Sequence, residues 1–351
     1  MKGKEIHYFG GDHTAKGFYP FYLSNYQGLD HVIRWKRGEL ISASDPLMIL
    51  AKEWRNKGYE VEMIHCAANH KALDGFILPE LKVGVYAGHH IVRGFGKATT
   101  ERFVSAPLSS HLEHKIQLYK RQMKEAYHQA QEAFKIGLDI HDDLELIYIT
   151  NMNFSKANDL TDDFINQLNL SKAPTASMQR TKHRFFGAST PEGVVDYIPN
   201  LTEGLERRYF IKGRAGTGKS TFLRKVAEEA ETLGHNVELY HCGFDPESID
   251  MVVLRELGIC VFDSTDPHEY FPERKGDSIV DLYAETVTAG TDEKYAEEIE
   301  ELTKSYKSYM KKGIIYLQQA KYLNNECHDL FLENDYEDIY QEINKEIQNH
   351  K

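Results

Sequence analysis

Apolar residues in this chain come in short runs set between charged stretches of helical period, and that rhythm predicts alternating strands and helices. Tyr209, Phe210 and Ile211 suit a buried parallel strand. A glycine-rich stretch follows, and then Phe222, Leu223, Val226 and Ala230 recur at helical spacing before Gly234 as a stop signal. Val61 to Cys66 and Val83 to Tyr86 in the first half read as further strands, as do Val237 to Cys242 and Ile259 to Phe262 in the second. This alternation predicts an α/β fold with a mostly parallel sheet covered by helices on both faces.

Two long charged stretches carry another period. Leu112, Ile116, Tyr119, Met123, Ala126, Ala130 and Ala133 recur at spacings of four and three, and so do Tyr295, Ile299, Leu302, Tyr306 and Tyr309. Such heptads predict a helical extension to each half, as a hairpin, a contact between halves or an arm over a binding site. Asp142-Asp143-Leu144 and His328-Asp329-Leu330 read as equivalent bends, and the polar run from Asn169 to His183 reads as a linker. The expected domains are 1–172 and 184–351, joined by a linker at 173–183.

The chain also repeats itself. Shifted by 176 residues without gaps, residues 9–85 align with 185–261 and share 21 identities in 77 positions. Phe9, Gly11, Thr14 and Gly17 meet Phe185, Gly187, Thr190 and Gly193, and Gly58, Val61, Glu62, His65 and Cys66 meet Gly234, Val237, Glu238, His241 and Cys242. Asp74, Leu78, Glu80, Leu81 and Val85 meet Asp250, Leu254, Glu256, Leu257 and Val261. A period this long makes each unit a whole domain rather than a solenoid repeat.

Gly213-Arg214-Ala215-Gly216-Thr217-Gly218-Lys219-Ser220, together with Thr221, forms a complete phosphate-binding loop between the strand and the helix that it needs. Backbone N–H groups and the helix dipole converge there on an anion. Lys219 is placed to reach the β- and γ-phosphates, and Ser220 to ligate magnesium. Asp263, which ends the apolar run Ile259-Cys260-Val261-Phe262, is the expected second magnesium ligand. Asp266 or His268 in the turn beyond it is the candidate to orient a water or a substrate hydroxyl. In the shifted register Lys219 meets Ala43, Gly218 meets Ser42, Gly216 meets Leu40 and Asp263 meets Ala87. The first half is therefore a degenerate copy, left as a scaffold, a regulatory face or a partner that completes the live site.

The chain resembles a family of P-loop ATPases of Gram-positive bacteria built from two tandem nucleotide-binding halves. The resemblance spans nearly the whole chain. It rests on the entry Phe9-Gly10-Gly11-Asp12-His13-Thr14-Ala15-Lys16-Gly17 and its second copy, the His-Cys pair after the second strand, and the Asp to Glu-Leu segment before the third. It implies two tandem P-loop NTPase-like domains, ATP binding and ATP hydrolysis, with ATP and magnesium as cofactors. A P-loop phosphotransferase and a nonhydrolysing nucleotide-dependent scaffold are the alternatives. The absence of an Asn-Lys-x-Asp motif favours ATP over GTP.

Several smaller features stay open at this level. His65-Cys66 and His241-Cys242 suggest zinc, yet adjacent strand residues point to opposite faces, so a structural role is the expectation. Cys242 and Cys260 are candidate neighbours. His89-His90 and His111 with His114 are candidate metal ligands, and Thr14 and Thr190 are caps or nucleotide contacts. Arg34, Arg37, Arg93, Arg274 and Lys275 are candidate cations for phosphoryl transfer, and Asp245 is a candidate acceptor contact. A formal charge of −12 argues against nucleic acid as a partner. Four scattered cysteines and no signal-like or membrane-length apolar run lead to the expectation of a cytoplasmic protein, with the helical arms as the surface for any protein partner.

Overall fold

A computed structural model describes residues 2–37, 44–88, 99–104, 110–173, 181–329 and 336–351. The first half runs β1 (Glu5–Phe9), β2 (Gly11–Thr14), β3 (Gly17–Pro20), α1 (Tyr22–Tyr26), β4 (His31–Arg37), α2 (Ser44–Asn56), β5 (Val61–Cys66), β6 (Asn69–Leu78), β7 (Val83–Tyr86) and β8 (Thr99–Val104). The helices α3 (Ser110–Thr150) and α4 (Phe154–Leu168) follow. The second half repeats the order with β9 (Thr181–Phe185), β10 (Gly187–Thr190), β11 (Gly193–Asp196), α5 (Ile198–Leu201), β12 (Arg207–Lys212), α6 (Lys219–Thr232), β13 (Val237–His241), β14 (Ile249–Leu254), β15 (Ile259–Asp263) and β16 (Asp277–Asp281). It ends in α7 (Leu282–Thr286), α8 (Thr291–Lys294), α9 (Ala296–Asp329) and α10 (Tyr336–Gln348).

Among the described residues, strands of both halves join in one mixed sheet of twelve, ordered β16-β12-β15-β14-β13-β9-β1-β5-β6-β7-β4-β8, while β2 with β3 and β10 with β11 form separate hairpins. The order reads the same from either end toward the centre, where β1 and β9 meet antiparallel at Phe9 and Phe185. The duplication is thus a pseudo-two-fold within a continuous sheet. The sheet departs from the expected parallel arrangement because β14 lies antiparallel to both β13 and β15, and β6 lies likewise between β5 and β7. Tight connections such as the one from Leu254 to Ile259 leave no room for a crossover helix, so those strands reverse. The same middle strand separates Cys242 from Cys260, which are not neighbours.

Burial follows the apolar pattern. Phe222, Leu223, Val226, Ala227 and Ala230 of α6 pack on Tyr209, Ile211, Val252 and Val261 of the sheet. On the other face Tyr8 and Ile64 of the first half share a core with Tyr240 and Met251 of the second. The helices that close each half change sides. Phe164 and Leu168 of α4 pack beside Phe222 in the second half, while Ile343 and Ile347 of α10 pack beside Trp54 in the first. The expected linker is shortened: Thr181 to His183 belong to β9, and residues 174–180 lie outside the described ones.

The arms are α3 and α9, which run antiparallel against each other. Ile116 lies near Cys327, Phe134 near Leu317, and Leu144 and Tyr148 near Ile299 and Leu302. The heptad seam is filled by the other arm. No bend occurs at Asp142-Asp143-Leu144: α3 continues through it, with both aspartates exposed and Leu144 buried, so the charges mark only the outer face of the helix. The second expected bend falls at the end of α9 (Asp329), and Leu330 lies outside the described residues. Among the described residues no helix is long and apolar enough to cross a membrane.

Candidate functional site

The glycine-rich loop leaves the C-terminal end of β12 and enters α6 at Lys219. Gly216 and Gly218 hold φ of 72° and 80°, a left-handed backbone that costs little only without a Cβ. Thr217 closes the turn from inside, its hydroxyl donating to the Arg214 carbonyl at 2.8 Å. The result is a loop of backbone amides ahead of a fourteen-residue helix, the geometry that draws an anion.

Lys219 and Asp263 lie together at the loop. The Lys219 ammonium lies 3.6 Å from the Asp263 carboxylate and donates to the Arg214 carbonyl at 2.7 Å. Asp263 reaches the loop because β15 is paired parallel to β12, with Ile211 opposite it. Its other carboxylate oxygen accepts from the Thr265 hydroxyl at 2.7 Å. The Ser220 hydroxyl accepts from the Ile249 N–H at 2.9 Å, which leaves a lone pair on the oxygen. Among the described residues no group of three or more His, Cys, Asp or Glu is arranged to hold a metal. A hydroxyl and a carboxylate beside an anion-drawing loop instead fit an ion that keeps water among its ligands, as magnesium does.

A cavity of about 1510 Å³ opens over the loop. Its floor is Gly213 to Thr221 with Asp250 and Asp263, and its walls come from α3, α4 and α9 and from the turns at Gly187 to Ser189 and Cys242 to Asp245. Asp250 is a site residue that motif reading missed, although its identity with Asp74 was visible. It stands one step beyond the Met251–Phe262 pair of β14 and β15, opposite Asp263. Burial, and next the Asp263 charge, push its carboxyl well above the usual carboxylate range.

The arm α3 reaches the loop directly. Glu145 of this helix lines the cavity beside Gly216, and burial, then the Asp142 charge, raise its carboxyl above the ordinary value. A Cβ on Gly216 would stand 2.6 Å from the Glu145 carbonyl oxygen. His141, one turn earlier, also lines the cavity. Burial and then the nearby Lys219 charge hold it down to about 4, so it is neutral near pH 7. On the far side Arg214 pairs with Asp292 at 2.7 Å and lies over the Tyr283 ring.

The remaining candidates separate. Asp266 and His268 line the cavity, but Asp266 pairs with Lys307 of α9 at 2.6 Å and His268 with Asp196 at 2.9 Å. Asp245 lines it too, while bound to Lys16 of the first half at 2.9 Å. Arg274 bonds Asp277 and the Thr202 carbonyl, and neither it nor Lys275 lines the cavity. Arg34 sits on β4, near the far edge of the sheet, and Arg214 is the one arginine among the described lining residues. Thr14 and Thr190 each close a hairpin turn, donating to the Gly17 and Gly193 carbonyls, and cap no helix. His89, His90, Arg93 and loop positions 38–43 of the first half lie outside the described residues.

The two His-Cys pairs serve the halves' junction. His65 accepts from His7 at 2.8 Å and donates to the His70 carbonyl, and His241 accepts from His183 at 2.9 Å and donates to the Pro246 carbonyl. Each pair is stacked by an aromatic ring of the opposite half, Tyr197 on His65 and Phe21 on His241.

Comparison with known proteins returns nothing. No family model, curated protein or solved structure matches this chain.

Proposed function

We propose that the second half binds a magnesium nucleoside triphosphate, ATP in preference to GTP, and hydrolyses it. The observation that carries this reading is the glycine-rich loop with Lys219 and Asp263 3.6 Å apart at the floor of the large cavity. The loop amides cradle the phosphates, and Lys219 turns from the Arg214 carbonyl to the γ-phosphate. Ser220 and Asp263 would hold the metal ion, which would supply positive charge against the phosphates. In the first half Ala87 stands where Asp263 stands, so the proposal assigns that half no turnover. The reading keeps the sequence resemblance to P-loop ATPases as its context, and with it a cytoplasmic location.

One observation favours a second reading. At about 1510 Å³ the cavity exceeds the roughly 300–1000 Å³ of ordinary small-molecule pockets. That leaves room for a phosphate acceptor beside the nucleotide, as in a phosphotransferase.

The test is binding and turnover of MgATP and MgGTP by the wild type beside Lys219→Ala. The expected result is nucleotide binding lost in the variant, with acceptor-free phosphate release reduced about 100-fold or more. Equal binding by both proteins rules out the loop as the site. Tight binding without phosphate release until an acceptor is added selects the phosphotransferase.

A further inference from the structure

Each half places an aspartate at the same irregularity of its sheet. Between β5 and β6 the pairing passes from Ile64–Gly75 to His65–Leu73, leaving Asp74 as the extra residue. Between β13 and β14 it passes from Tyr240–Met251 to His241–Ile249, leaving Asp250. A bulge of this kind re-aims its extra side chain.

The two halves then treat that side chain differently. In the first, the Tyr22 hydroxyl donates to Asp74 at 2.6 Å. In the second, the residue at the place of Tyr22 is Ile198, buried and unable to donate. Asp250 is instead half-buried on the cavity floor with Asp263, and Lys219, His268 and Cys242 line the same cavity. The half that lacks the metal-binding acid ties its aspartate to a phenol. The half that has the acid turns its aspartate toward the cavity.

We propose that Asp250 is the second carboxylate of the reaction centre, which holds the attacking water by accepting its hydrogen bond and takes its proton. This rests on the nucleotide reading above. The water oxygen bonds to the γ-phosphorus as the bond to the β,γ-bridging oxygen breaks. The nucleoside diphosphate leaves with that electron pair, and the proton passes through Asp250 to the released phosphate. Asp263 stays with the metal ion, so the two neighbouring aspartates have separate duties.

The experiment uses the full chain and two readouts, affinity for a fluorescent ATP analogue and single-turnover phosphate release from MgATP. Asp250→Asn is expected to bind as the wild type does and to release phosphate about 100-fold or more slowly. Asp250→Glu is expected to recover part of the rate. Ile198→Tyr, which supplies the first half's phenol and leaves the carboxylate in place, is expected to slow release, whereas Ile198→Phe, of similar bulk without the hydroxyl, is not. Wild-type release by Asp250→Asn or by Ile198→Tyr overturns the proposal, as does a wild-type protein that binds ATP and releases no phosphate. Loss of the nucleotide reading is seen separately, as unchanged binding in Lys219→Ala.

Discussion

Arg184 shows what a single residue does at the centre of this molecule. Tyr8 occupies its place in the first half, and the Arg184 guanidinium lies over the Tyr8 ring at 3.9 Å. It donates to Glu62 at 2.6 Å and is 3.5 Å from Glu238. Burial alone would raise both glutamates, but Arg184 with Lys182 outweighs it at Glu62, and Arg255 with Arg184 does so at Glu238. Each carboxyl is held near about 2 against an ordinary 4.5. Depressed carboxyls stabilise the fold above the ordinary value, and that stability is lost as pH falls through the folded one. Melting temperature is therefore expected to drop between about pH 4.5 and 2, and a flat profile across that window contradicts the pairing. Arg184→Met, which leaves the buried Glu62 with only Lys182 as a charged partner, is expected to cost about 3 kcal/mol in denaturant unfolding. None of this could be read from sequence, because Arg184 and Glu62 are 122 residues apart. Lys219 and Asp263 could be nominated, since a loop motif and a strand end are local patterns. Asp250 could not be given a role, because its placement depends on a bulge between two strands.

At the scale of elements, α3 meets the glycine-rich loop where Glu145 stands against Gly216. A triphosphate bound at the loop as proposed would lie beside the Glu145 carboxylate. Glu145→Ala removes a carboxylate beside the proposed phosphate site, so nucleotide affinity is expected to rise, about tenfold for about 1.4 kcal/mol of relieved repulsion. Titration with a fluorescent nucleotide checks this, and an unchanged affinity means that the carboxylate does not oppose the phosphates. The heptads made both arms legible as long helices, since apolar spacing is a property of each helix alone. That they fill each other's seam, and that one of them ends on the loop, depends on how the halves are placed. The supposed bend at Asp142 and Asp143 failed for the same reason, because paired charges look alike on a turn and on the solvent face of an unbroken helix. The antiparallel strands β6 and β14 were missed because short strands joined by tight turns carry little periodicity of their own.

At the scale of the whole molecule, the halves are bound by exchange. Cutting the chain at the expected linker would part α4 from the core that it covers, and α10 is held by the half that lies furthest from it in sequence. Ile343→Ala and Ile347→Ala are each expected to cost about 2–5 kcal/mol. Because Asn344 accepts from the Trp54 indole at 3.2 Å, the loss of α10 packing is expected to shift tryptophan emission to the red. Unchanged emission and stability would mean that the helix does not cover Trp54. The repeat was legible because identities at a fixed offset need no structure to count, whereas an exchange of helices leaves no mark on either copy. The same architecture gives the paired arms mechanical leverage. The 41 residues of α3 make a rod of roughly 60 Å at 1.5 Å per residue, whose inner end rests on Gly216. A tilt of about 5° at the loop carries the outer end through about 5 Å. A nucleotide bound as proposed above would thus meet α3 at the end about which a small tilt makes the largest travel.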